Sequence, residues 1–210
     1  MSPGRLINTQ ADVAEGADWL ARQDQHLKRA LAATGPLPLR RRPDGFAELL
    51  RAIVGQQVSV ASARALWSRL EQAGATTPQA VLSLSAEELR ALGLSRQKAR
   101  YAHALADAGI DFHALREVPD AEVIGTLTAV TGIGVWTAEV YAMFSLGRAD
   151  VFAPGDLALQ EAARMIYDMP ERPKERALRE MAQAWSPWRS VAARLLFTYY
   201  RVAKQRDGIT

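Results

Sequence analysis

The side chains best placed to do chemistry fall in a few short stretches. Asp156 follows directly on Pro154-Gly155 and opens an amphipathic run. A lone carboxylate on such a break can stabilise developing positive charge or take a proton from water. It can equally be a helix N-cap, a position aspartate favours. Gly132-Ile133-Gly134, with Trp136 two residues on, sits between two helical patterns. A tight Gly-x-Gly turn aims backbone N–H groups and a helix N-terminus outward, a phosphate site that needs no charged side chain. A plain helical hairpin has the same spacing. Trp136 also suits a core position, four residues before Val140. Gln56-Gln57 closes an apolar helix after Gly55, and reads as a polar turn. Ser95 and Lys98, with Tyr101, could contact backbone phosphates or lie on a solvated helix face. His26, His103 and His113 are not spaced as ligands, so no side-chain metal site is expected.

The elements that must position these residues are helical nearly throughout. Phe46, Leu49, Leu50, Ile53 and Val54 recur at i, i+3, i+4, i+7 and i+8, one face of a helix ending near Gly55. Ser59 can cap a helix running to Gly74, and Ser95 one running through 108. Helices are predicted over roughly 120–129, from near Val135, from Asp156 to about Tyr167, and from Pro187 to the C-terminal region. Residues 35–43 read as an extended connector. One competitor is a dinucleotide-binding fingerprint, with 123–130 as a strand before Gly132-Ile133-Gly134. It fails where Thr137 takes the third glycine position and where partner strands are missing. The fold class expected is all-α.

Composition sets the limits. The chain has 210 residues, 49% of them hydrophobic and 23% charged, which are globular values. No apolar run approaches the ~18 residues that span a bilayer, and the first ten residues lack the apolar core of a signal peptide. With no cysteine, disulfides, iron–sulfur clusters and cysteine nucleophiles are excluded; a cytoplasmic protein fits. Net charge is +3, but residues 160–206 carry +5 and residues 103–161 carry −7. One end of the chain could face a polyanion.

Taken together, the motifs resemble those of the helix-hairpin-helix DNA glycosylase superfamily. Leu127-Thr128-Ala129-Val130-Thr131-Gly132-Ile133-Gly134-Val135-Trp136-Thr137-Ala138 is similar to its hairpin. Asp150 to Asp156 is similar to the Gly/Pro-rich loop that ends in its aspartate. Ala52 to Ser59, Gly93 to Ala99 and Trp185 to Ser190 resemble segments of the DNA-3-methyladenine glycosylase II branch, in family order over residues ~46 to 200. The resemblance implies two helical lobes with a DNA-binding cleft: 45–148 as the hairpin lobe, 1–44 plus 149–210 as the other. It is to a minimal form, without the N-terminal β-domain of some members.

The activity implied is hydrolysis of the N-glycosidic bond of an alkylated purine, 3-methyladenine or 7-methylguanine, after base flipping. Such a base is already cationic and leaves easily, so one carboxylate, Asp156, suffices. Bifunctional relatives have a lysine where this chain has Trp136, which implies a monofunctional enzyme. By the same likeness Trp136 lines the base pocket with Phe197, Tyr141 and Leu157. Gln57 is the wedge that fills the gap in the stack, with Gln56 beside it. Gly132, Gly134, Thr137, Ser95 and Lys98 meet the DNA backbone. Carbonyls of Thr128, Val130 and Ile133 could hold a sodium or potassium ion; no other cofactor is expected. The expected partner is damaged double-stranded DNA, engaged by a monomer away from any membrane. Two alternatives stay open: a non-catalytic helix-hairpin-helix DNA-binding protein, and a glycosylase for deaminated or oxidised bases, since Leu157 and Val135 depart from the family pattern.

Overall fold

The structure, a computed structural model, describes residues 3–204. Those residues form thirteen α-helices and one short 3-10 turn. The one β feature among them is an isolated antiparallel bridge between Leu6 and Arg148. The chain divides into two compact units. One is Arg42–Tyr141; the other joins Pro3–Arg41 to the chain from Ala142 onward.

The first unit holds α3 (Phe46–Gly55), α4 (Val60–Gln72), α5 (Pro78–Ser83), α6 (Ala86–Ala91), α7 (Arg96–Asp107), α8 (Phe112–Leu115), α9 (Asp120–Thr128) and the start of α10 (Val135–Phe144). The apolar period of α3 is the buried face: Phe46, Leu49, Leu50, Ile53 and Val54 all leave solvent. That face packs on α4 and α7, and α5 and α6 also pack on α7. Helix starts follow local chemistry. Ser59, Thr77, Ser85 and Ser95 each accept an N–H from the first turn that follows, filling donors the helix leaves unpaired. The start of α3 has no side-chain cap; instead the Gly45 N–H donates to the Tyr141 hydroxyl at 2.8 Å.

The second unit holds α1 (Gln10–Gln23), α2 (Gln25–Thr34), the end of α10, α11 (Leu157–Ile166), α12 (Glu175–Met181) and α13 (Arg189–Lys204). Helices α1, α2 and α11 pack on α13, whose residues Ser190 to Thr198 are all buried. Close approach of α1 requires Gly16, where a Cβ would lie 2.7 Å from Trp188 and Val191 side-chain atoms. Within this packing Arg194 is fully buried. It donates from Nε to Leu39 O at 3.0 Å and from Nη1 to Ser190 O and Oγ. Burial, then the positive charges of Arg40 and Arg41, push its pKa down to about 9.

The sequence places the start of the last helix at Pro187, and the structure corrects this. Trp188 N–H bonds back to Trp185 O in a turn, and α13 begins at Arg189. The predicted helix boundary at Gly74 is also late by two residues, since α4 ends at Gln72.

Candidate active site and nucleic-acid interface

The hairpin forms as α9 closes at Thr128 and the chain tightens. Val130 N–H bonds to Leu127 O and Ile133 N–H to Val130 O. Gly132 sits at φ +100°, and a Cβ there would overlap the Tyr101 ring; only glycine meets both demands. Helix α10 then starts at Val135, leaving Gly134, Val135 and Trp136 at the surface. Trp136 is 42% exposed, so the tryptophan is not spent on a core.

The turn after α3 lies next to this hairpin. Gln56 is the C-cap residue, and Gln57 adopts φ +55°, a left-handed conformation that disfavours any residue with a Cβ. Gln57 is exposed. Gln56 is half-buried, and its Nε2 donates to Gly132 O at 2.9 Å. Lys98 points inward from α7. It is 9% exposed, its Nζ donates to Val54 O at 2.7 Å, and burial lowers its pKa. Ser95 caps α7, with Oγ accepting the Lys98 N–H at 3.2 Å. Gln56, Gln57, Ser95, Lys98, Gly132 and Gly134 thus come from three distant stretches to line one cavity of about 530 Å³.

In the other unit, the Asp150–Gly155 loop delivers Asp156 to the head of α11. Arg189 forks Asp150 through Nε and Nη2 at 2.8 and 2.9 Å, and Ser186 Oγ donates to the same carboxylate. The Gln160 amide Nε2 donates to Pro154 O at 2.8 Å, fixing the Pro-Gly turn. Asp156 Oδ1 accepts N–H groups of Ala158 and Leu159 at 2.8 and 3.2 Å. The side chain is therefore an N-cap, 6% exposed and locked in one orientation. Two amide donors at the head of α11 fix where the carboxylate sits. A fixed anion of this kind suits stabilisation of a developing cation, because it needs no reorganisation during reaction.

The profile of the HhH-GPD superfamily base excision DNA repair proteins matches residues 50–187. The chain belongs to that superfamily. It is 27% identical over 192 residues to DNA-3-methyladenine glycosylase 1 of Schizosaccharomyces pombe, covering 86% of this chain and 84% of the relative. It is 33% identical over 178 residues to DNA-3-methyladenine glycosylase 2 of Escherichia coli, covering 78% and 60%. Among solved structures, the DNA-3-methyladenine glycosidase of Bacillus halodurans superposes with a TM-score of 0.79 at 33% identity, over 89% of this chain and 88% of that one. The S. pombe 3-methyladenine DNA glycosylase in complex with abasic DNA gives 0.76 at 26% identity, over 93% and 100%.

The remaining residues assigned from the HhH-GPD likeness occupy varied settings. Leu157 is 61% exposed, directly beside Asp156. Phe197 is buried and packs on Phe144, ring centroids 6.2 Å apart. The Arg40 guanidinium lies 5.1 Å from both ring centres, so these aromatic faces already attract a cation. Tyr141 is buried with its hydroxyl committed to Gly45 N–H; burial pushes its pKa up to about 12, so it stays a neutral phenol. Thr137 is buried in the first turn of α10. Among the described residues no cluster of three or more His, Asp or Glu is placed to hold a metal, and no helix is long and apolar enough to cross a membrane. The braces Gln160, Asp150–Arg189 and Lys98–Val54 are not read from sequence, because their partners lie up to 44 residues away.

Proposed function

We propose that this base excision DNA glycosylase hydrolyses the N-glycosidic bond of N3- and N7-alkylated purines in duplex DNA, acting as a monomer. The observation that carries the reading is Asp156: a single carboxylate, clamped by two backbone N–H groups at a helix head, beside an exposed Leu157. The names of the relatives support the substrate class. In this reading the base leaves the stack and lies against Trp136, whose ring face attracts a positively charged purine. As the bond to the base lengthens, C1′ of the deoxyribose gains oxocarbenium character. Asp156 stabilises that charge and orients the water that adds to C1′; the water's proton passes to the carboxylate and on to solvent, and the bond to the base breaks with its electron pair going to the cationic purine, which departs neutral. No second acid is required, because alkylation has already made the base a cationic leaving group. Trp136, in place of a nucleophilic amine, leaves no group in the hairpin to form a Schiff base with C1′.

The hairpin presents N–H groups at Gly134 and the first turn of α10 to a DNA phosphate. Carbonyl oxygens of Thr128, Val130 and Ile133 would hold a sodium or potassium ion, hard oxygen donors suiting a hard cation; the ion would add positive charge there and take no part in bond breaking. If so, DNA affinity is higher in potassium chloride than in tetramethylammonium chloride of equal strength. Equal affinities would remove the ion.

The deciding experiment is base release from methylated duplex DNA by the wild type and Asp156→Asn. Release of 3-methyladenine and 7-methylguanine is expected, falling about 10²-fold or more in the variant with DNA binding retained. Borohydride should trap no protein–DNA adduct. Undiminished release by Asp156→Asn, or a trapped adduct, refutes the mechanism.

A further inference from the structure

The turn that carries Gln57 is fastened from two sides. The last carbonyls of a helix have no partner within it, and Val54 O of α3 is one of them. It is served by an ammonium from another helix, the buried Lys98 Nζ at 2.7 Å. Two residues later Gln56 reaches across 76 positions of sequence to donate to Gly132 O at 2.9 Å. Gly132 in turn is pressed on Tyr101 of α7, so closely that no Cβ fits. Lys98 and Tyr101 project from α7 at i and i+3. One helix therefore supports both the turn after α3 and the hairpin, and Gln56 joins the two directly. Between these supports Gln57 is held in its left-handed conformation with its side chain exposed.

From this geometry we propose that Lys98 and Gln56 are positioning residues that bind the Gln57 turn to the hairpin, so that filling the base stack and gripping the backbone occur as one event. This rests on the reading above in which Gln57 enters the gap left by the flipped nucleotide. The Lys98 ammonium acts inside the protein and not on a phosphate. The Gln56 amide acts on the hairpin carbonyl. A flexible turn would have to be ordered at each encounter with DNA; this one arrives already ordered, and the hairpin's contact with a phosphate fixes where Gln57 enters.

The test is a double-mutant cycle on single-turnover base release, with 3-methyladenine either paired in a duplex or placed in an unpaired bulge. Lys98→Met is expected to lose about tenfold on the paired lesion, the effect of one buried hydrogen bond removed with its acceptor left unsatisfied, and less than about twofold on the bulge. Gln56→Met, at a half-buried position, runs the same cycle should Lys98→Met fail to fold. In a Gln57→Ala background neither should cause further loss on the paired lesion. Equal losses on both substrates, or losses that multiply with Gln57→Ala, overturn the proposal. A second readout separates it from the enzyme reading: a duplex with a tetrahydrofuran abasic site opposite 2-aminopurine. Wild-type binding should change the 2-aminopurine emission, and Lys98→Met and Gln56→Met should reduce that change at saturating protein. An unchanged signal in both variants, or none with wild type, overturns the proposal whatever base the enzyme releases.

Discussion

Asp156 serves as the N-cap of α11 and as the candidate catalytic carboxylate, and the two roles use the same geometry. The cap holds Oδ1 on two amides, and a carboxylate that cannot rotate is a better electrostatic partner than one that can. Both roles are legible in the sequence from the Pro154-Gly155-Asp156 break, though the choice between them is not. Trp136 is legible too, and it stands 42% exposed in the first turn of α10. Trp136→Ala should weaken capture of a flipped alkylated purine by about 1–3 kcal/mol, the worth of one base–aromatic stack. The loss should exceed that for an unmodified abasic duplex, compared by equilibrium binding; equal losses would assign Trp136 to the fold. Lys98 reads from the sequence as a phosphate contact or a solvated side chain; in the structure it shares the buried stripe of α7 with Ala102 and Leu105, its Nζ on Val54 O. Lys98→Met should therefore leave the salt dependence of DNA binding unchanged. A lysine on a phosphate would flatten the log–log slope by about 1.

At the scale of elements, most helix starts follow from single residues. Ser59, Thr77, Ser85, Ser95 and Asp156 all cap as their types dictate. The misplaced start of α13 has a physical cause: proline tolerates a first turn, but here the turn ahead of the helix takes Trp188 N–H, and the ladder opens with Ala192 N–H on Trp188 O. That turn from Trp185 to Trp188 has no signature in the residue types alone. Three caps have consequences for pH. Asn8 N–H and the Thr9 hydroxyl hold Asp12 below its usual 3.8, Ser85 N–H and hydroxyl hold Glu88 below 4.5, and Ala114 N–H holds Asp111 below 3.8. Each is lowered in the folded state, so each contributes stability at neutral pH that is lost as pH falls through the folded value. The melting temperature should hold from pH 7 to about 5 and decline below about 4. Asp12→Asn, which abolishes one of these titrations, should shallow that decline, as read by thermal unfolding in low-pH buffers.

For the whole molecule, composition and periodicity were enough to exclude a parallel sheet, a disulfide framework and a membrane span as organising principles. They were not enough to show which helices share a unit. Chain order is a poor guide to that, because residues 3–41 belong to one unit with the chain from Ala142 onward, and residues 42–141 form the other. The N-terminal strap shows it in miniature. Ile7 N–H bonds to Gly147 O, Ala149 N–H bonds to Arg5 O, and Arg148 reaches Pro3 O. Arg194, buried near the other end of the chain, holds the Leu39 carbonyl across 155 residues. This interleaving sets an order of events during synthesis. Residues 3–41 are translated before α11 and α13, on which α1 and α2 pack. Residues 42–141 are contiguous and can collapse while translation continues. Leu20, Leu27 and Ile7 meanwhile stay uncovered. Throughout translation of residues 42–141 the nascent chain therefore displays a sticky amphipathic pair, α1 and α2, which invites chaperone capture and closes only once α13 has cleared the exit tunnel.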